Sequence, residues 1–158
     1  GNFFAHATWG NLTLSAIFGY SIGNDIYNYQ RSIIEGGNNF YNQSSAMANR
    51  WRVEGQETNM PRISYGDEMG NSRFSDRWIE DGSYLKLRSL NINYKIPVNS
   101  SWLQGLQVWA EANNLFTISK YLGGDPEMSV SNAVLYQGID TGCVSQGRTF
   151  TVGVKINL

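Results

Sequence analysis

Residues 149–158 read Thr149-Phe150-Thr151-Val152-Gly153-Val154-Lys155-Ile156-Asn157-Leu158. Every even position is apolar and every odd position is small or polar, a period of two kept to the last residue. This is a strand with one apolar face throughout. Chain ends ordinarily fray into water. A strand that seals a membrane barrel keeps its pattern to the end, because closure removes the exposed edge.

The same alternation recurs upstream. In 2–9, Phe3, Ala5, Ala7 and Trp9 share a face; in 12–23, Leu12, Leu14, Ala16, Phe18, Tyr20 and Ile22 do. In 84–96 the row is Leu90, Ile92, Tyr94 and Ile96, and Pro97 ends the strand. Lys86 and Arg88 fall on the same phase as that row, which predicts that this strand runs beyond the apolar zone into water. In 106–114, Leu106, Val108, Ala110 and Ala112 lie opposite Gln107, Trp109, Glu111 and Asn113.

The connections alternate in length: turns at 10–11 and 97–105, long loops at 24–83 and 115–147. Within the first loop, Ser45 to Trp51 reads as one or two helical turns capped by Ser44 or Ser45. Short turns facing the periplasm and long loops facing outside are the habit of bacterial outer-membrane barrels. Trp9, Tyr94 and Trp102 on the short-turn side, with Tyr20 and Phe150 on the long-loop side, suit two aromatic girdles. The expected fold is therefore all-β: five antiparallel strands at the carboxy-terminal end of a large transmembrane barrel. Five strands are too few to close one, since the smallest have about eight. The remaining barrel strands are expected in upstream sequence, consistent with a chain that opens on Gly1 with a strand already in progress.

A net charge of -1 gives no basic footprint, so no nucleic acid is expected as partner. No apolar run is long enough for a transmembrane helix. Cys143 is the single cysteine, which excludes an internal disulfide or a multi-cysteine metal site. No cofactor and no metal are expected, and no enzyme. His6, the only histidine, lacks neighbouring ligand or acid–base partners. Glu80 and Asp81 fail as a glycosidase pair, because adjacent residues of an extended segment point to opposite faces. Gly123 to Glu127 lacks the ladder of acids that a calcium loop has, and reads as a turn.

Tyr41, Arg50, Trp51, Arg52, Trp78 and Tyr84 form an aromatic and basic population in and beside the first loop. Aromatic faces stack on sugar rings, and arginine bonds hydroxyls or peptide carbonyls, so these are candidates for contact with a ligand or a lid. Packing of the loop itself is the blander role and ranks ahead, because so long a loop must bury something to be ordered. His6, Trp109, Glu111 and Lys155 fall by parity on the face opposite the apolar row, which would meet the lumen or a plug.

Three stretches carry a family resemblance. Ser75-Asp76-Arg77-Trp78-Ile79-Glu80-Asp81-Gly82-Ser83-Tyr84-Leu85-Lys86-Leu87-Arg88-Ser89-Leu90 resembles a signature of SusC/RagA-type TonB-linked outer-membrane proteins. Asn113-Asn114-Leu115-Phe116-Thr117-Ile118-Ser119-Lys120-Tyr121, followed by Gly124-Asp125-Pro126-Glu127, is similar to a second. Arg50-Trp51 with Gly55 and Pro61-Arg62 resembles the family's upstream loop motif. The chain departs from the pattern in ending on Leu158 rather than Phe. The resemblance implies a roughly 22-stranded barrel with an amino-terminal plug. It also implies TonB acting through that plug, a SusD-like surface lipoprotein, outer-membrane lipid around the wall, and import of an oligosaccharide or peptide. The rival reading is a secreted β-sandwich that binds carbohydrate through the same aromatics.

Overall fold

The computed structural model describes residues 1–99, 102–131 and 133–158. Of the expected short connection, positions 100 and 101 lie outside the described residues, as does 132 of the second loop. In chain order the elements are β1 (Asn2–Trp9), β2 (Leu12–Ser21), β3 (Asp25–Asn28), α1 (Tyr29–Ile34), β4 (Ile79–Asp81), β5 (Tyr84–Ile96), β6 (Gly105–Ser119), β7 (Ile139–Asp140) and β8 (Thr149–Asn157). Two compact units result. Gly1–Gly23, Ser83–Lys120 and Ser145–Leu158 form a strand unit; Asn24–Gly82 and Tyr121–Val144 form a loop unit.

The strand unit is a five-stranded sheet of order β1-β2-β5-β6-β8, with every neighbouring pair antiparallel. Directly opposed residues share a face, so the register traces the apolar row across the sheet. One line runs Trp9, Leu12, Tyr94, Val108, Val154; another runs Ala5, Ala16, Leu90, Ala112, Phe150. The opposite face carries His6, Ser15, Asn91, Glu111 and Thr151 in one line.

The row does not stop where 84–96 loses its phase. Ile17 pairs with Ser89 and Phe18 with Leu87, so Arg88 is an extra residue on β5. That bulge moves the apolar phase from even to odd positions. Leu87 and Leu85 then continue the row, opposite Phe18 and Tyr20, and Lys86 goes to the polar face beside Gly19. The expectation that Lys86 and Arg88 interrupt the apolar face is thereby corrected. On the other side, Arg88 faces Asn114 and Leu115, and Asn114 takes φ 55. Asn tolerates that left-handed backbone better than most residues. The bulge lets β6 run on to Ser119, five residues beyond the expected end, with Phe116 and Ile118 opposite Leu87 and Leu85. β2 ends at Ser21, short of the expected 23.

Trp109 lies across Gly153, its cross-strand partner, with ring carbons 2.5 Å from where a Cβ would sit. A side chain there would displace the indole. Phe3 stacks on Phe18 at 4.6 Å.

The apolar row is on the surface: Phe150, Val152, Val154 and Ile156 are 59–74% exposed. A β-sandwich would bury this row under a second sheet, so that alternative fails. Apart from Leu87, the buried apolar side chains lie in the loop unit, at Ile26, Met47, Met60, Trp78 and Tyr121. Both β1 and β8 have one unpaired edge within the sheet.

Candidate functional site

Neither long loop is structureless. Each contributes short strands to a three-stranded sheet of order β4-β3-β7 within the loop unit. β3 is antiparallel to β4 and parallel to β7, with Tyr27 level with both Ile79 and Ile139. Alternation again sorts the residues. Ile26, Asn28, Glu80 and Asp140 point to one side; Asp25, Tyr27, Ile79, Asp81 and Ile139 point to the other.

The first side is buried. Ile26 is 1% exposed, Asn28 and Asp140 are 3%. Asn28 caps α1, its Oδ1 accepting from Arg31 N at 2.9 Å. Arg31 then reaches back across the sheet. Its Nη1 donates to Glu80 Oε1 at 2.9 Å and its Nε to Glu35 Oε2 at 2.8 Å. Glu80 also accepts from Asn28 Nδ2 at 3.2 Å and from Leu122 N at 2.9 Å. One carboxylate thus joins β3, α1 and the second loop. Burial opposes the charge on Arg31, but the bonds to Glu80 and Glu35 outweigh it and raise its pKa.

Trp78 is 0% exposed. Arg77 lies over its ring at 4.7 Å and Arg31 at 5.7 Å, and its Nε1 donates to Arg73 O at 3.1 Å. Burial lowers the Arg77 pKa. From the second loop, Tyr121 Oη donates to Asp140 Oδ2 at 2.6 Å, and Asp140 Oδ1 accepts from Gly142 N and Cys143 N. Burial, then the bond to Asp140, pushes the Tyr121 phenol well up. The signature around Trp78 and Glu80 is therefore the loop unit's internal clamp. Both carboxylate oxygens of Glu80 are held in that clamp.

The second side of the small sheet is open. Asp25, Tyr27, Tyr29, Phe74, Ile79 and Ile139 line much of a concavity of about 610 Å³. Tyr27 stacks on Phe74 at 4.8 Å and 25°, and Tyr29 stands 6.5 Å from Tyr27. Phe74 is 79% exposed and Tyr29 45%. Aromatic faces beside one carboxylate suit recognition of an extended ligand.

The residues singled out in the sequence are distributed differently. Trp78 is too deeply buried to touch a ligand and takes the packing role. Arg50, Trp51 and Arg52 follow a 3-10 turn, Ser45–Asn49, capped by Ser44. Arg50 Nη1 donates to Met47 O at 3.2 Å and Arg52 Nη2 to Ala48 O at 3.1 Å, so both guanidiniums brace that turn. Trp51 borders a smaller concavity of about 370 Å³ with Pro61, Arg62, Met69 and Asn71. Tyr41 is 72% exposed. Tyr84 is half-buried at the start of β5, in the strand unit. His6, Trp109, Glu111 and Lys155 all lie on the polar face of the large sheet. His6 Nδ1 meets Ser15 Oγ at 3.0 Å, and Glu111 Oε1 accepts from Asn113 Nδ2 at 3.0 Å. Among the described residues no group of acids, histidines and cysteine is placed to hold a metal. Tyr27, Tyr29 and Phe74 carry no periodic signal in the sequence, because β3 is only four residues long and Tyr29 already belongs to α1.

An antiparallel sheet with an exposed apolar face, joined alternately by short turns and long folded loops, is a section of transmembrane β-barrel wall. The chain is 29% identical over 154 residues to TonB-dependent receptor P3 of Formosa agariphila, covering 92% of this chain and 15% of that protein. It is 26% identical over 163 residues to TonB-dependent receptor P26 of the same organism, covering 94% and 16%. It superposes on the RagAB peptide importer in the open-open state with TM-score 0.80 and 25% identity, over 100% of this chain and 17% of that one. For the closed-closed state the TM-score is 0.81 at 26% identity. No family model matches. Over nearly its whole length the chain is similar to part of these TonB-dependent receptors and of the RagAB importer, and its place is the outer membrane. It spans 15–16% of the length of these curated relatives.

Proposed function

We propose that this chain supplies barrel wall and extracellular loops to a receptor that imports a nutrient oligomer, an oligosaccharide or a peptide, with energy delivered by TonB through an amino-terminal plug. A SusD-like surface lipoprotein closes over the loop unit, Asn24–Gly82 and Tyr121–Val144, and the turn at 10–11 faces the periplasm. His6, Trp109, Glu111 and Lys155 face the lumen and the plug, while Tyr41, Trp51 and their arginine neighbours meet the ligand or the lipoprotein. The apolar row held unbroken across the Arg88 bulge is the observation that supports this reading. A wall facing lipid needs it, and a soluble domain would bury it.

The test is uptake of fluorescently labelled oligomers by cells carrying the full-length receptor. Uptake is expected to need the receptor and to cease when a protonophore collapses the proton-motive force. Uptake indifferent to both would refute the import reading. Trp51→Ala should lower uptake with unchanged receptor abundance in the outer membrane, and unchanged uptake would return Trp51 to packing.

A further inference from the structure

We infer that the open face of the small sheet receives a basic side chain, lysine or arginine, of a peptide. The inference rests on the import reading above and specifies its ligand. Two features point the same way. First, Tyr27 and Phe74 stack and Tyr29 stands beside them, so aromatic faces border the 610 Å³ concavity. Ring faces attract cations. Second, Asp25 is the one charged residue of that lining, and no lysine or arginine is among it. A cation is drawn to both features, and a neutral sugar is not.

The remaining polar groups of the lining suit a peptide as well. Ser32 and Ser72 are occupied, Ser32 Oγ donating to Tyr29 O and Ser72 Oγ to Asp67. Among the described residues no hydrogen bond or ion pair engages the Asp25 carboxylate or the Gln137 amide, leaving one anion and one amide for a charged side chain and its backbone. Glu80, the next residue to Asp81, points into the buried side and is held by Arg31, so it does not compete for the incoming charge.

The experiment uses full-length receptor in outer-membrane vesicles and two labelled octapeptides of alanine and glycine. One carries a central lysine; its twin carries the acetylated lysine. The wild type should bind the lysine peptide about tenfold more tightly, since a partly desolvated cation over aromatic rings beside a carboxylate gains that much. Asp25→Asn should abolish the preference, Asp25→Glu should retain it, and Phe74→Leu should weaken binding of the lysine peptide. Equal affinity for the two peptides in the wild type, or a preference that survives Asp25→Asn, would overturn the inference. So would a neutral glucan hexasaccharide whose binding falls with Asp25→Asn as much as the peptide's. Binding that follows the expected pattern without protonophore-sensitive uptake would reject the import reading alone.

Discussion

Glu80→Ala should loosen the loop unit and leave the strand unit intact. The Glu80 carboxylate accepts from Arg31 Nη1 at 2.9 Å, Asn28 Nδ2 at 3.2 Å and Leu122 N at 2.9 Å. Its side chain is 10% exposed, and that of Arg31 is 21%. Breaking a buried charge pair by removing one partner costs about 3–5 kcal/mol, because the other charge and its neighbours lose their partners. Arg31 keeps Glu35 at 2.8 Å and some contact with water, so the loss should fall at the low end, about 3 kcal/mol. Amide exchange through local opening scales with that free energy, and about 1.4 kcal/mol is tenfold, so exchange should rise on the order of a hundredfold. The assay is hydrogen–deuterium exchange of the full-length receptor in detergent, read over 26–35 and 121–124. Glu80→Gln keeps an acceptor oxygen and should show a smaller rise, near tenfold. Exchange unchanged over both segments would refute the clamp. Equal acceleration in β6 and β8 would mean the residue supports the whole fold instead.

The register makes a paired forecast in the large sheet. Val152→Arg puts a charge on the apolar face and should cost about 2–4 kcal/mol of barrel stability if it lies near the membrane midplane, while Thr151→Arg on the polar face should be tolerated. Urea titration of the folded fraction on electrophoresis separates the two, and equal losses would mean the faces are misassigned. In the first loop, the Asp67 carboxylate accepts from Ser72 N at 3.3 Å and Ser72 Oγ at 2.7 Å. Burial works against its charge, but the bonds from Ser72 prevail and hold its pKa below the ordinary 3.8. A depressed folded pKa stabilises the turn above the unfolded value and is lost as pH falls through the folded one. Protection of the Ser72 amide, corrected for its intrinsic exchange rate, should therefore fall on acidification below about pH 4, and Asp67→Asn should remove that acid step. An acid step that persists in the variant would assign it to another group.

The sequence by itself determined the large sheet. Strands of eight residues or more show a period of two long enough to be read, and 149–157 shows it without a break. The apolar phase, the short and long connections, and the polar side bearing His6, Trp109, Glu111 and Lys155 all follow from that period. Two features needed the tertiary structure. One is the bulge at Arg88, where a single extra residue changes parity. In the sequence it looks like charge invading an apolar face, and Asn114 looks like a strand's end. Only the pairing with Phe18 and Phe116 reveals that the row continues. The other is the small sheet that builds the candidate site. Its strands are two to four residues long, too short for any period to register. Tyr27 and Ile139 pair across more than a hundred residues of chain. Trp78 and Glu80 stand out in the sequence, but whether a tryptophan in a loop meets a ligand or fills a core depends on what folds over it. Here Arg31, Arg77 and the backbone of Arg73 enclose it, and the exposed aromatic surface falls to Tyr27, Tyr29 and Phe74.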